Sequence, residues 1–401
     1  MIPVDTALDR ILTPLRPLPA EVVALTAAYG RVLAEPITAR RTQPPADMSA
    51  MDGYAVRAAD VADPPVALAV VGAAPAGGAF DRALEPGQAV RIFTGGPVPA
   101  GADTVVIQED TETGGDGTVR VLEAARPGRH IRRQGIDFAA GDVLLDAGRR
   151  LTARDIALAA SGNVPWLAVR RRARVAILTT GDELVRPGEP LDGDRIVNSN
   201  SAMLAGVVTS SGGVAVDLGI ARDDAASLKS LAEGARGADF LVTIGGASVG
   251  DHDLIRKVLG DVGLTVDFWK IAMRPGKPLI SGMFAGIPML GLPGNPVSAY
   301  VCAELFLRPA LDRLHGLPPR PVPTETARLA EPMAANGGRQ DYVRATLDRD
   351  DNSALMARPN PVQDSSMLSV LAAADCLIVR PPGAAAAGPG DEVPILRLDR
   401  R

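Results

Sequence analysis

Four short apolar runs, Val175–Thr179, Val214–Ile220, Phe240–Ile244 and Met289–Leu292, alternate with segments of helical periodicity near 200–211, 224–236, 251–260 and 297–307. Near-continuous hydrophobic runs of this length are what strands buried on both faces look like, and the intervening helices supply the two covers. Residues 170 to about 318 are therefore predicted to form a three-layer α/β domain around a parallel sheet. Open sheets of that kind bind ligands in the loops that follow the carboxyl ends of their strands.

At 401 residues the chain exceeds the roughly 250–300 at which a single core stops growing, so further domains are expected. Helical patterning runs through Val4, Leu8, Ile11 and Leu12, then Val22, Val23, Leu25 and Ala28, before Gly30 and Pro36 break it. From 46 to 138 short β-prone runs (Tyr54–Val56, Val66–Val71, Ala89–Phe93, Thr104–Gln108, Thr118–Leu122) are separated by Gly, Pro and Asp, as in a small β-rich insertion. The stretch DVLLDAGRRLTARDIALAASG reads as a strand and a helix, with Thr152 as N-cap and Gly162 as stop. Beyond Pro318 and Pro319 short strands return (Tyr342–Leu347, Cys376–Val379, Val393–Leu398), predicting a carboxy-terminal β domain, barrel-like in character. The expected division is a discontinuous linker domain of 20–45 with 139–169, an insertion of 46–138, the α/β domain of 1–19 with 170–318, and the β domain of 319–401.

Composition narrows the function. A net charge of −5 without any basic run argues against nucleic acid or an anionic membrane as partner. No segment approaches the ~18 uninterrupted apolar residues of a membrane span, and the acidic start MIPVDTALDRIL lacks the character of a signal peptide, which makes a cytoplasmic location the expectation. Cys302 and Cys376 lie in apolar runs outside any metal-ligand or redox spacing and read as small core residues.

Three loops after sheet strands carry chemistry. Thr179-Thr180-Gly181-Asp182-Glu183 sets hydroxyls and carboxylates after the first strand. Gly245-Gly246-Ala247-Ser248-Val249-Gly250-Asp251-His252-Asp253 runs into a predicted helix, a glycine cradle for phosphate with acids beside it. Asp251, and less readily Asp253 inside the first turn, has the alternative reading of a helix cap. Hard oxygen ligands beside phosphate are what Mg²⁺ uses, so an Asp in this loop is a candidate metal ligand. Pro293-Gly294-Asn295-Pro296-Val297-Ser298 is a stiff turn into the last helix.

Just ahead of that turn stands WKIAMRPGKPLISG. The chain has four Lys against 38 Arg, and two of the four, Lys270 and Lys277, fall in this segment. A compact ammonium is not equivalent to a planar fork, so their retention points to an anion site that distinguishes the two. No dinucleotide or Walker fingerprint is present, and no histidine has a triad or metal-ligand partner at recognisable spacing, so catalysis by a protein nucleophile is not expected.

The strings SAMDGYA, RIFTGGPVPAGADTVVIQED, IRRQGIDFAAGDVLL, ILTTGDEL, GGASVGDHD, the Lys270–Lys277 segment and GLPGNPVSAY follow one another over nearly the whole chain. In that order they resemble the MoeA-like molybdopterin molybdenumtransferases, the family that includes the gephyrin E domain. The resemblance implies an elongated four-domain homodimer, in which the β-rich insertion approaches the sheet domain of the other subunit. It implies that adenylylated molybdopterin and molybdate react, with a divalent cation such as Mg²⁺, to give molybdenum cofactor and AMP. Apo-molybdoenzymes and the adenylyltransferase that makes the substrate would then be partners.

By resemblance, Asp52, Thr94, Glu183, Ser248 and Asp253 are catalytic, with Glu183, Asp223 and Asp253 around the metal. Asp137, Gly245, Gly246, Gly250, Lys270, Arg274, Lys277, Pro293, Asn295, Pro296, Ser298, Arg344 and Ser366 would bind substrate. Asp223 and Asp224 are adjacent, and the sequence does not say which faces inward. Where the family pattern has Lys, this chain has Arg274, which keeps the charge but changes its shape. Two rivals are a molybdopterin adenylyltransferase, opposed by the extra β domains, and a gephyrin-like scaffold, opposed by the presence of all the acids.

Overall fold

The sheet predicted within 170–318 forms in the computed structural model, which describes residues 1–245, 258, 260, 263–318 and 325–398. Its strand order is Val214–Ala221, Arg174–Thr180, Phe240–Ile244, Ile287–Leu292, Pro278–Phe284, Leu264–Lys270. The first four are mutually parallel. Pro278–Phe284 runs antiparallel to Ile287–Leu292, and Leu264–Lys270 runs antiparallel to Pro278–Phe284 in turn, so the sheet is mixed rather than purely parallel. Leu264–Lys270 escaped notice because its residues alternate between buried and exposed, as on an edge strand with one wet face, instead of forming a continuous apolar run.

Both faces of the sheet are covered, and residue alternation along the strands decides which side chain goes where. Val175 and Ile177 pack with Val4, Ile11, Leu204 and Phe306, while Ala176 and Leu178 pack with Leu228, Ala232 and Met289. Helices Val4–Leu12, Asn200–Ser210 and Pro296–Cys302 thus contribute to one layer, and Ala225–Glu233 to the other. The predicted final helix is longer and broken in pitch: after Cys302 a wide π turn spans Ala303–Leu307 before Arg308–Leu314. Pro309 has no N–H to offer the Leu305 carbonyl, and the widened turn lies just ahead of it. Most of the helix expected near 251–260 lies outside the described residues.

Five strands, Glu325–Leu329, Gln340–Arg349, Leu355–Pro359, Cys376–Arg380 and Glu392–Arg397, close into a barrel, because Gln340–Arg349 pairs with both Leu355–Pro359 and Cys376–Arg380. The two-residue strand Met273–Arg274 adds in parallel beside Gln340 and Asp341, which brings the cation-rich segment against the barrel. Cys376 sits in the barrel core, where burial pushes its thiol up to about 12. Cys302 is buried in the sheet domain and its thiol is pushed higher still.

These elements belong to one compact unit, Met1–Glu21 with Gly30–Ala34 and Val169–Arg401. A second unit comprises Val22–Tyr29 and Glu35–Ala168. It holds a six-stranded sheet in the order Thr104–Ile107, Gly53–Val56, Gln88–Ile92, Val66–Ala74, Thr118–Val121, Thr111–Thr113. Its helix Ala153–Ser161 starts where the sequence predicts: Thr152 N donates to Asp155 Oδ2 at 2.8 Å and Thr152 Oγ1 does so at 2.7 Å, and the helix ends at Gly162. The helical patterning read through Val22–Ala28 is corrected. Ala20–Ala24 is a strand followed by one tight turn at Leu25–Ala27, since two adjacent β-branched residues favour extension and the run is too short to nucleate a helix.

Candidate active site

The loops singled out after the parallel strands converge. Thr179, Thr180, Gly181 and Glu183 after the first strand, Gly245 after the central one, and Pro293, Gly294 and Asn295 after the fourth line a cleft of about 420 Å³. The fourth contributor is Asp223, after the edge strand. Its neighbour Asp224 turns to the helix instead, accepting from Ser227 N at 2.8 Å as the N-cap of Ala225–Glu233. Asp223 N donates to Asp182 Oδ1 at 3.2 Å and Asp182 N to Asp223 Oδ2 at 3.4 Å, tying the two acid-bearing loops together. Gly246, Ser248, Gly250 and Asp253 of the glycine loop lie outside the described residues.

Local chemistry fixes the cleft. Gly245 has φ +88° and a Cβ there would stand 2.6 Å from the Thr180 carbonyl, so only glycine lets the two loops touch. Beneath the floor, Thr179, Ser201 and Asn198 share buried hydrogen bonds of 2.8–3.2 Å that seat the first turn of helix Asn200–Ser210. Asn200 then donates from Nδ2 to the Gly294 carbonyl at 2.7 Å, holding the Pro-Gly-Asn-Pro turn against the cleft. Its Oδ1 is buried and has no hydrogen-bond partner among the described residues. Sequence reading passed over Asn200 because a polar residue opening a helix looks like a cap.

A second cavity of about 500 Å³ adjoins the first, with Pro278 in both linings. It brings together Arg274, Lys277, Ser298 and Arg344, all expected from the sequence, and adds Arg339, Gln363 and Ser365. Arg344 is 2% exposed; its Nη1 donates to the Asp364 carbonyl at 2.7 Å and its Nε has no partner among the described residues. Burial draws its pKa down, against the pull of Asp364. Ser366 is placed differently from expectation: its hydroxyl and N–H both donate to Asp364 Oδ1, at 2.6 and 2.8 Å, while the preceding Ser365 faces the cavity and is held by Asn295 Nδ2 at 2.9 Å. Lys270 lines neither cavity; its ammonium lies 3.5 Å from the Trp269 ring centre. Pro296 opens helix Pro296–Cys302 as its first residue and is likewise absent from both linings.

Gly276 turns the cation segment with φ +103°, and a Cβ there would stand 2.5 Å from Cys302 Sγ. Gly276→Ala should therefore destabilise the sheet unit by on the order of 3 kcal/mol through backbone strain and overpacking. The check is the denaturant midpoint, and an unshifted midpoint would show that the turn relaxes without cost.

In the second unit the motifs SAMDGYA and RIFTGGP meet. Asp52 Oδ1 accepts from Thr94 N at 2.7 Å and from Thr94 Oγ1 at 2.8 Å. Those two bonds, with a smaller contribution from the charge of Arg91, hold the Asp52 carboxyl below the usual range. Arg91 is itself fixed by Gly53 O at 3.1 Å and Gln108 Oε1 at 2.8 Å, between the Tyr54 and Phe93 rings. Asp137 is exposed in a loop pinned by its N–H to Gln43 O at 3.1 Å. A depressed folded pKa means that the contribution of Asp52 to stability is present above its unfolded pKa and lost as pH falls through the folded one. Thr94→Val should move the Asp52 titration upward, shifting that loss to higher pH, as carboxyl-detected NMR would show; an unmoved titration would mean that the bonds to Thr94 do not set it.

A mixed sheet covered on both faces, with carboxylates and clustered cations gathered in adjoining cavities and a closed barrel in the same unit, defines a multidomain α/β protein with a charged site. Residues 2–162 match the MoeA N-terminal region (domain I and II), 176–313 the probable molybdopterin binding domain, and 326–398 the MoeA C-terminal region (domain IV). The chain is 38% identical over 387 residues to a molybdopterin molybdenumtransferase of Nostoc sp., covering 94% of this chain and 88% of that one. It is 41% identical over 347 residues to molybdopterin molybdenumtransferase 2 of Mycobacterium tuberculosis, covering 84% and 85%. The crystal structure of a molybdopterin biosynthesis MoeA protein from Pyrococcus horikosii matches with TM-score 0.85 and 32% identity, both chains being covered in full (100%). The chain belongs to the MoeA family.

Proposed function

We propose that this chain is a molybdopterin molybdenumtransferase, which inserts molybdate into adenylylated molybdopterin and releases AMP. The observation that carries the reading is the adjacency of an acid-lined cleft and a cationic cavity, with Pro278 in both linings. Such a pair suits a phosphoanhydride on one side and an oxyanion on the other. Relatives of this name at 38% and 41% identity support it.

The cleft fits a hard divalent cation. Mg²⁺ takes one or two carboxylates and completes its shell with phosphate and water, and Glu183 and Asp223 supply two carboxylates. Among the described residues no three ligating side chains converge. Bound there, the cation would offset charge on the pyrophosphate. The chain's own groups do the remainder: Thr180 and Asn200 position the substrate in the cleft, while Lys277, Arg344 and the Ser298 hydroxyl hold the oxyanion where the dithiolene sulfurs can reach it.

Asp52, kept ionised by Thr94, acts in our reading from the second unit of a partner copy, so the working form is a homodimer in the cytoplasm. No helix among the described residues is long and apolar enough to cross a membrane. Ser248 and Asp253 are assigned to phosphate and metal from the sequence pattern. Expression of the chain in a strain lacking its own molybdenumtransferase should restore a molybdoenzyme activity such as nitrate reduction. Failure at normal molybdate together with normal protein levels would contradict the reading.

A further inference from the structure

We propose that Arg339 is an oxyanion-binding residue of the cationic cavity and that Arg274, where the family pattern has Lys, is not. This rests on the reading above that the cavity takes molybdate, and it changes which side chains do the holding.

Strand register makes Arg274 the direct neighbour of Asp341. The two form an ion pair, and Asp341 is only 5% exposed. A carboxylate that is largely desolvated holds its partner firmly, because separating them leaves an uncompensated charge. Arg274 is thus tied through Nη2 to a buried carboxylate while the rest of its side chain stays exposed, and the positive charge expected at this position is offset locally.

Arg339 is in the opposite situation. Its backbone is pinned on both sides: Gln340 N donates to Ala272 O at 2.9 Å, and Asn336 Nδ2 donates to the Arg339 carbonyl at 2.8 Å. The same Asn336 amide also reaches the Arg380 and Pro381 carbonyls, at 2.9 and 2.8 Å, fastening the turn to the barrel. The side chain itself lines the cavity and makes no hydrogen bond or ion pair among the described residues. The second carboxylate in the lining, Asp364, is engaged by Ser366.

The lining carries four cations, Arg274, Lys277, Arg339 and Arg344, against the two acids Asp341 and Asp364. The balance of two positive charges matches a tetrahedral dianion. With Arg274 paired to Asp341 and Arg344 donating from Nη1 to a carbonyl, Lys277 and Arg339 are the lining cations with no side-chain hydrogen bond or ion pair among the described residues, while Arg344 keeps its Nε–H unpartnered. An arginine fork also suits two oxygens of one anion, which a lysine does not.

The test is calorimetric titration of the full-length chain with molybdate and with tungstate at fixed ionic strength. Arg339→Ala should weaken both by about ten- to a hundredfold, the size of a charge-assisted hydrogen bond, with partial recovery in Arg339→Lys. The paired replacement Arg274→Gln with Asp341→Asn, which keeps the cavity's net charge, should bind within about threefold of the unaltered chain. Adenylylated molybdopterin should bind Arg339→Ala as before. Unweakened oxyanion binding by Arg339→Ala, an equal loss in the paired variant, or loss of the adenylate together with the oxyanion would each overturn the assignment. If the unaltered chain bound neither oxyanion, the reading of the cavity itself would fall, and this assignment with it.

Discussion

Asp223→Asn should slow AMP release by on the order of a hundredfold or more while leaving the fold intact, the usual scale for removing one preorganised charge from a site where negative charge is handled. The amide is nearly the same size and keeps an oxygen to accept from Asp182 N, so the link between the loops survives and only the charge is lost. Asp224→Asn supplies the control one residue away. Asn is as good an N-cap as Asp, so the bond from Ser227 N should persist, and neither rate nor stability should change appreciably. The assignment of Asp223 to the cleft would be sunk by equal effects at the two positions, or by an unchanged rate in the first.

Glu304→Ala should destabilise the fold by about 3–5 kcal/mol, the cost of stranding one member of a buried ion pair. Arg308 Nε and Nη2 fork onto the Glu304 carboxylate at 2.9 and 2.7 Å, with side chains 18% and 1% exposed, and Arg308 Nη1 continues to Ser211 Oγ at 3.1 Å. Loss of the carboxylate leaves the guanidinium with the Ser210 and Ser211 hydroxyls and the weaker pull of the Asp312 charge. Glu304 lines neither cavity, so AMP release per folded molecule should be unchanged. Guanidinium unfolding followed on the sheet unit checks the first part. A midpoint shift worth under about 1 kcal/mol would mean that water reaches the pair and screens it.

How much was legible depended on where each signal lives. Strands buried on both faces announce themselves as apolar runs, and Val175–Thr179 and Phe240–Ile244 are found where the sequence puts them. The half-exposed Leu264–Lys270 does not, since alternation in a short segment is easily lost among polar residues. Loop chemistry was readable as composition, yet direction was not. Asp223 and Asp224 are chemically identical in the sequence, and only the helix start at Ala225 decides that the second one caps. Ser365 and Ser366 pose the same problem: the tight bond of Ser366 to Asp364 turns it away and leaves its neighbour on the cavity. Scarcity of lysine singled out Lys277, which lines the cationic cavity, and equally Lys270, which lies over the Trp269 ring. Arg339 was invisible among 38 arginines, because what distinguishes it is a place in the cavity lining without a side-chain partner among the described residues, a property of the folded chain.

The central claim is tested most directly by following AMP release from adenylylated molybdopterin with Mg²⁺, with and without molybdate, alongside reactivation of a cofactor-free molybdoenzyme. The expected result is AMP release that depends on molybdate and is matched by recovery of molybdoenzyme activity. Tight binding of the adenylate without AMP release, or release that ignores molybdate and restores no activity, would contradict it.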